Sequence, residues 1–152
     1  MDVITFLVLA LMPTVEPRYA VALAILSGWD SLSAFSLGVL AVFLLSGALV
    51  IALAAVDQIF LNIPRFGKLW RKYRTKVKQR AGRYVNRWGP VGLVLFVAVP
   101  FPGTGIYIGA LAAYLLGMDL KRAWLALIVG GVLSSIITLL LALSGHVLLL
   151  SL

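Results

Sequence analysis

Three long stretches without a charged side chain constrain the fold of this chain more than any other feature. They are Leu32–Val56, Trp88–Met118 and Ala123–Leu152, of 25, 31 and 30 residues. A helix needs about 20 apolar residues to cross the hydrocarbon core of a bilayer. Hydrophobic residues make up 62% of the 152 residues and charged residues 12%, a balance far too apolar for a soluble domain. The sequence therefore predicts an all-α integral membrane protein with a single membrane domain over residues 1–152.

The residue types that carry most enzyme chemistry are scarce in this chain. There is no cysteine, which excludes disulfides and thiolate metal sites. The single histidine, His146, has no second ligand nearby and is expected to be a polar residue at a helix end. The N-terminus begins Met-Asp and lacks a basic region, so no cleaved signal peptide is expected. The sequence predicts no catalytic residue, no metal, no cofactor and no enzymatic reaction.

Positive charge is concentrated in one segment. Ten of the thirteen Lys and Arg residues lie between Arg65 and Arg87, in a chain of net charge +8. In a membrane protein such a cluster marks the cytoplasmic side more often than a nucleic-acid site, so residues 57–89 are expected to be cytoplasmic, with no nucleic-acid partner.

Apolar residues recur at helical spacing through residues 65–88, with basic residues between them. That pattern predicts an amphipathic helix in the membrane interface. Anchoring alone and the gathering of anionic lipid for a transport site both remain open as its role. The predicted lipid-interface positions are Lys68, Trp70, Arg71, Lys72, Arg74, Lys76, Lys78, Arg80, Arg83, Arg87 and Trp88.

The stretches "LMPTVEPRYAVALAILSGWD" and "VPFPGTGIYIGALAAYLLGMD" match when the chain is shifted by 89 residues. The shift also matches Ala34 with Ala123 and Ser46 with Ser135. Both stretches end in Gly-x-Asp, and Asp30 and Asp119 are expected to cap the helices that follow. Small residues four apart favour close helix packing in a bilayer. The predicted helix-packing residues are Ala20, Ala24, Gly28, Gly109, Ala113 and Gly117.

Prolines divide each copy of the repeat into two short arms. An arm of about ten helical residues spans about 15 Å, half of the hydrocarbon core. The sequence therefore predicts a re-entrant hairpin in each copy, followed by a full crossing. Four ordinary crossings with proline kinks remain the alternative. The predicted boundaries are repeat one 1–57 with hairpin 3–28 and crossing 32–56, and repeat two 89–152 with hairpin 90–117 and crossing 123–144.

The basic segment between the two copies gives them opposite orientations. Because that segment is expected to be cytoplasmic, one hairpin enters from each face and the tips meet near the bilayer midplane. Such an inverted repeat is typical of transporters. Irregular backbone at membrane depth implies a buried or hydrated site at the tips. The predicted substrate or proton site comprises Pro13, Glu16, Pro17, Arg18, Pro100, Pro102, Gly103, Thr104 and Gly105.

The predicted site has the features of an anion site. Pro17 is expected as a first helical residue and Thr104 as the cap of the arm after it. The N-termini of both second arms would then face the site. Glycines allow close approach of a ligand, and the guanidinium of Arg18 favours phosphate or carboxylate. Glu16, the only glutamate of the chain, is either a neutralising partner of Arg18 or a proton carrier.

The segments "EPRYAVALAI" and "VPFPGTGIYIGALAAYLLGM" resemble the putative small multidrug export family of prokaryotic membrane proteins, which is related to the DedA/VTT (SNARE-associated) superfamily. The resemblance covers most of the chain except the basic helix. It implies a multi-pass transporter of the inner (plasma) membrane with paired re-entrant hairpins. Glu16 and Arg18 match the Glu-x-Arg element of that family. Its second tip is matched by Pro100, Pro102, Gly103, Thr104 and Gly105.

Wider DedA relatives are implicated in moving polyprenyl phosphates or phospholipids, often with proton dependence. This chain departs from them because residues 99–107 carry no charged side chain. The expected function is translocation of an amphiphilic substrate, foremost an anionic lipid, with protons as a candidate coupling ion. Proton-coupled small multidrug efflux and a non-transporting assembly role remain alternatives. Membrane lipids and a second copy of the chain are the expected partners.

Overall fold

A computed structural model describes residues 1–62, 72, 75, 88–101 and 104–150. Most of the predicted amphipathic helix, with its lipid-interface positions, lies outside the described residues. Lys72 and Trp88 are the described members of that set, and both are exposed. Pro102 and Gly103 also lie outside the described residues, as do the side chains of Asp57, of residues 59–62 and of residues 145–150.

The described part of the chain forms six helices and no strand. Two of them are long and apolar enough to cross a membrane, over Ser31–Val56 and Leu120–Ser144, with mean hydropathy 2.8 and 2.5. These spans include the two crossings predicted from sequence. The helices are α1 Val3–Leu11, α2 Glu16–Leu26, α3 Ser31–Asn62, α4 Gly89–Ala98, α5 Ile106–Leu115 and α6 Leu120–Leu150.

The other four helices are short and come in pairs. Helices α1 and α2 have 9 and 11 residues, and α4 and α5 have 10 each. Residues 12–15, here called tip one, separate the first pair, and residues 99–105, here called tip two, separate the second. The two members of each pair contact one another. At about 1.5 Å per residue, none of these helices alone spans a hydrocarbon core.

Both pairs end in the same glycine turn. Gly28 has φ +88° and Gly117 has φ +67°, the left-handed region that glycine adopts without a steric penalty. The residue after each glycine donates its N–H to the carbonyl of Ala24 or Ala113, at 3.0 Å in both turns. This is the Schellman motif. A Cβ on Gly28 would meet no atom within 4 Å, so its role is conformational rather than the packing role expected from sequence.

An aspartate then starts each long helix. Asp30 accepts the N–H of Ser33 at 3.0 Å, and Asp119 accepts the N–H of Arg122 at 3.3 Å. The predicted capping role of both aspartates is confirmed. The repeated Gly-x-Asp pattern is therefore a helix stop followed by a helix start.

The second short helix of each pair packs against the long helix of the other half. Helix α2 packs on α6, and α5 packs on α3, while α3 and α6 also contact each other. The small residues Ala20, Ala24, Gly109 and Ala113, which were predicted to pack helices together, are all buried. At Gly109 an added Cβ would lie 2.6 Å from Val97 Cγ2, so no larger residue fits there. This packing brings the two tips together.

Among the described residues, positions 89 apart meet at Gly105 and at Gly131. The Glu16 carboxylate occupies the space that a Cβ on Gly105 would need. A Cβ on Gly131 would lie 2.7 Å from Val42 Cγ1. In both contacts a side chain of the first half fills the space left by a glycine of the second.

Candidate functional site

Glu16 begins helix α2 in an unusual backbone conformation. Its φ is +58°, the only positive φ of a non-glycine residue in the described part of the chain. That region costs a non-glycine residue about 1 kcal/mol or more. The Glu16 N–H donates to the Met12 carbonyl at 2.9 Å, and its side chain is buried, with only 4% of the residue exposed. Pro17 is the second residue of α2, one position later than predicted.

The Glu16 carboxylate lies at the N-terminus of α5, in the other half of the chain. Its Oε2 accepts the N–H of Ile106 at 3.2 Å, and its Oε1 accepts the N–H of Tyr107 at 3.5 Å. The first N–H groups of a helix have no partner within the helix and carry partial positive charge. The buried carboxylate of Glu16, directly after tip one, therefore caps the helix that follows tip two.

Gly105 makes this approach possible. Its φ of −81° is open to any residue, so the requirement for glycine is spatial and not conformational. The carboxyl group of Glu16 lies where a side chain at position 105 would begin. The close approach that the sequence predicted for a ligand at this glycine is made by a side chain of the protein itself.

The prediction that Thr104 caps α5 is wrong. Its hydroxyl donates to the carbonyls of Val99 and Phe101 at 2.7 and 2.8 Å, which closes tip two upon itself. Gly105 holds the cap position, and a glycine has no side chain that could accept an N–H of the helix. The side-chain acceptor for the first N–H groups of α5 is instead Glu16, from the other half of the chain.

Arg18 is buried beside Glu16 and binds the backbone of tip two. Its Nη1 donates to the Val99 carbonyl at 3.1 Å and to Ser134 Oγ at 3.4 Å, and its Nη2 donates to the Phe101 carbonyl at 3.1 Å. Its Nε lies 3.5 Å from Glu16 Oε2 but makes no hydrogen bond. Two of its three nitrogens are therefore occupied by the protein, and the third faces the carboxylate.

Two tyrosine hydroxyls also donate across the two halves of the chain. Tyr107 donates to the Leu11 carbonyl at 2.5 Å, and Tyr19 donates to the Pro100 carbonyl at 3.2 Å. The guanidinium carbon of Arg18 lies 4.9 Å from the centre of the Tyr19 ring. Neither tyrosine, nor Ser134, was predicted from sequence. The sequence signal that could have identified Tyr107 is the 89-residue shift, which pairs it with Arg18.

The remaining predicted site residues that the structure describes are three prolines. Pro17 is buried, Pro100 is partly buried and Pro13 is exposed in tip one. Glu16 and Arg18 are the buried charged side chains of the described residues, and together they carry no net charge. Within the same described part, no three His, Cys, Asp or Glu side chains come together to hold a metal ion. The arrangement is a compact ion pair inserted between two backbone turns.

A protein-family model described as "Putative small multi-drug export protein" matches residues 16–137, which is most of the chain. The matched range contains Glu16, Arg18, all of tip two and both apolar spans up to residue 137. No curated protein and no solved structure matches the chain.

Proposed function

The chain belongs to the putative small multi-drug export family, and from that premise we propose that it is a membrane exporter that moves an anionic amphiphile together with a proton. Family membership and the two apolar helices indicate a membrane protein of an export family. The finer proposal depends on one observation. The Glu16 carboxylate occupies an anion site formed by the α5 N-terminus and the Nε of Arg18.

The groups that hold Glu16 are those that would hold a substrate anion. Backbone N–H groups at a helix start and a guanidinium are common partners of carboxylate and phosphate. In this conformation the protein supplies the anion itself. A substrate headgroup can bind there only after Glu16 has left, so Glu16 is a competitor of the substrate within the site.

A proton on Glu16 would drive this exchange. A neutral carboxyl no longer balances Arg18, and leaving one member of a buried ion pair uncompensated costs about 3–5 kcal/mol. The anionic group of a substrate restores the balance at the same place. Protonation of Glu16 and binding of the anion therefore favour each other, which is the coupling that a proton-linked transporter requires.

The proposed architecture has α1–α2 and α4–α5 as re-entrant hairpins of an inverted repeat. The short helices, the shared glycine turns and the shared aspartate caps support it. The contacts of Glu16 with Gly105 and of Val42 with Gly131 support it further, because matching positions of two halves meet near a twofold axis. In such a fold either hairpin can open the central site to its own side.

The proposed orientation places the basic segment, residues 57–89, on the cytoplasmic side of the plasma membrane of a prokaryote. Lys121 and Arg122 support this, because they start α6 after the second pair, while the matching turn after the first pair has no basic residue. A phospholipid or a polyprenyl phosphate has the anionic headgroup and apolar tail that the proposal requires. The suggested relation to DedA transporters is part of this proposal.

Efflux of cationic drugs is the competing proposal, and the family description is compatible with it. In that case Glu16 would alternate between a proton and the cation. Arg18 opposes this reading, because its Nε lies 3.5 Å from Glu16 Oε2 and would repel a cation bound there. The non-transporting assembly role predicts that substitutions at Glu16 and Arg18 leave function unchanged.

A liposome assay separates these proposals. The purified protein is reconstituted with fluorescent anionic phospholipid, with polyprenyl phosphate or with a lipophilic dye cation, each with and without an imposed pH gradient. We expect accelerated movement of an anionic amphiphile that depends on the gradient and is lost in Glu16→Gln and Arg18→Gln. Asp119→Asn is the matched control, because it makes the same carboxylate-to-amide change at a cap where Asn is well tolerated.

The other outcomes contradict the proposal in different ways. Movement of the dye cation alone, blocked by Glu16→Gln and retained in Arg18→Gln, would favour cationic drug efflux. Absence of any transport by the wild type, with both substitutions tolerated in cells, would favour the assembly role.

A further inference from the structure

Donors at matching positions of the two halves bind backbone carbonyls at or next to the tip of the opposite half. Arg18 and Tyr107 are 89 residues apart, and each lies in the first turn of the second helix of its pair. Arg18 donates to carbonyls of tip two, and the hydroxyl of Tyr107 donates to the Leu11 carbonyl just before tip one. Each half therefore provides a donor for backbone carbonyls of the other half.

Tyr107 contacts tip one on both of its sides. Its hydroxyl binds the Leu11 carbonyl, which ends α1, and its backbone N–H binds the carboxylate of Glu16, which begins α2. Tip one lies between these two contacts. One residue of α5 thus connects the carboxylate that we propose to be protonated with the turn that would have to move.

We propose that Tyr107 is the positioning residue that transmits the protonation state of Glu16 to tip one. The inference rests on the proposed function, since it assigns to Glu16 a charge that changes during transport. When the carboxylate is ionised, its hydrogen bonds fix the first turn of α5 and keep the Tyr107 hydroxyl on Leu11. When the carboxyl is neutral, the N–H contact weakens, the first turn of α5 loosens and the hydroxyl leaves the Leu11 carbonyl. Tip one then separates from α5.

Tyr19 provides the matched contact on tip two. Its hydroxyl donates to the Pro100 carbonyl, and its ring lies against Arg18. Loss of the hydroxyl at position 19 removes one bond to tip two and leaves tip one untouched. Tyr19→Phe and Tyr107→Phe are therefore controls for each other, because the same atom is deleted on opposite tips.

Hydrogen–deuterium exchange of the full chain in lipid nanodiscs tests this inference. Tip one is reported by the amides of Val15 and Glu16, which donate to the Met12 carbonyl, and tip two by the amides of Phe101 and Thr104. We expect Tyr107→Phe to accelerate exchange in tip one several-fold and to leave tip two unchanged. We expect the opposite pattern in Tyr19→Phe.

A double-mutant cycle separates transmission from a merely structural bond. Glu16→Gln should accelerate exchange in tip one. Adding Tyr107→Phe should have little further effect, since the proposal holds that Glu16→Gln already releases the Tyr107 hydroxyl from the Leu11 carbonyl. Equal acceleration of both tips by Tyr107→Phe, or full additivity with Glu16→Gln, would overturn the inference.

The exchange experiment and the liposome assay fail independently. If Glu16→Gln abolishes transport while Tyr107→Phe leaves tip one unchanged, the inference about Tyr107 is wrong and the proposed function stands. If tip one responds as expected but transport is insensitive to Glu16, the proposed function is wrong and the role of Tyr107 in transport falls with it.

Discussion

At the scale of single residues, Glu16 is unusual in two ways. Its backbone adopts a conformation that is normally found in glycine or asparagine, and its carboxylate is buried. The φ of +58° disfavours a glutamate, and burial disfavours its charge. Both costs are offset by the hydrogen bonds from α5 and by the nearby guanidinium of Arg18. Strained residues of this kind cluster at functional sites, which agrees with the role proposed for Glu16.

Gly105→Ala tests whether transport needs the Glu16 carboxylate at the α5 N-terminus, because this substitution moves the carboxylate without removing it. An added methyl group would occupy the space of the Glu16 carboxyl group and force it away from the α5 N-terminus. We expect transport to fall to the level of Glu16→Gln, measured in the liposome assay. The control is Gly92→Ala in α4, where a Cβ meets no atom within 4 Å, and wild-type transport is expected there. Normal transport by Gly105→Ala would mean that the observed contact is not needed.

Glu16 and Arg18, with their pairing as one alternative, were identified from the sequence, but their backbone partners were not. A lone glutamate two residues from an arginine stands out in so apolar a chain. These backbone partners are N–H and carbonyl groups about 80 to 90 positions away. Backbone groups are the same at every residue, so no residue type marks them. The failed prediction of Thr104 as a cap has the same origin, because the true cap comes from the other half.

At the scale of helices, the repeated Gly-x-Asp pattern defines where the short helices stop and the long ones start. Both elements of the pattern act locally, through a left-handed glycine and a side-chain cap. Local interactions can be predicted from sequence, and the aspartate caps of the two long helices were. The assignment of Gly28 to helix packing was wrong, because spacing by four residues also fits a glycine that ends a helix.

Removal of either cap should destabilise the protein by a similar amount. Asp30→Ala and Asp119→Ala each leave N–H groups of a long helix without their side-chain acceptor, and we expect a loss of about 0.5–2 kcal/mol in each. Chemical unfolding in detergent micelles measures it. Asp30→Asn and Asp119→Asn should lie close to the wild type. A large loss in only one of the two alanine variants would argue against equivalent caps.

Gly28→Ala isolates the conformational cost of the turn. A methyl group at this position has free space, so any loss of stability comes from φ +88° alone. We expect a loss of about 1 kcal/mol in the free energy of unfolding, and a smaller loss in Gly28→Asn, since asparagine tolerates this region better. Unchanged stability in Gly28→Ala would indicate that the turn adopts another conformation.

At the scale of the whole molecule, the two halves are interlocked through α3 and α6. The sequence predicted the two apolar spans and the breaks in the short pairs from hydropathy and prolines. It could not predict that α2 packs on α6 and α5 on α3, because apolar helix faces of similar composition do not select one partner. The 89-residue shift pairs equivalent positions of the two halves. It does not say which helix of one half contacts which helix of the other.

Substitutions at the contact between Val42 of α3 and Gly131 of α6 test the packing of the two halves. Alanine is normally favoured over glycine within a helix by about 0.5–1 kcal/mol. In Gly131→Ala the new methyl group would lie 2.7 Å from Val42 Cγ1, so we expect a net loss of about 1–3 kcal/mol in chemical unfolding. Adding Val42→Ala should recover part of that loss. A gain in stability from Gly131→Ala alone would contradict the observed packing.

The central claim is that a proton on Glu16 accompanies an anion into the site, and proton uptake measures it directly. The protein in weakly buffered detergent solution is mixed with an anionic amphiphile, and an indicator dye follows the pH across a series of starting values. We predict that the wild type takes up a proton as the anion binds, that Asp119→Asn does the same and that Glu16→Gln takes up none. Binding of the anion with no uptake by the wild type, or with equal uptake by Glu16→Gln, would contradict the account.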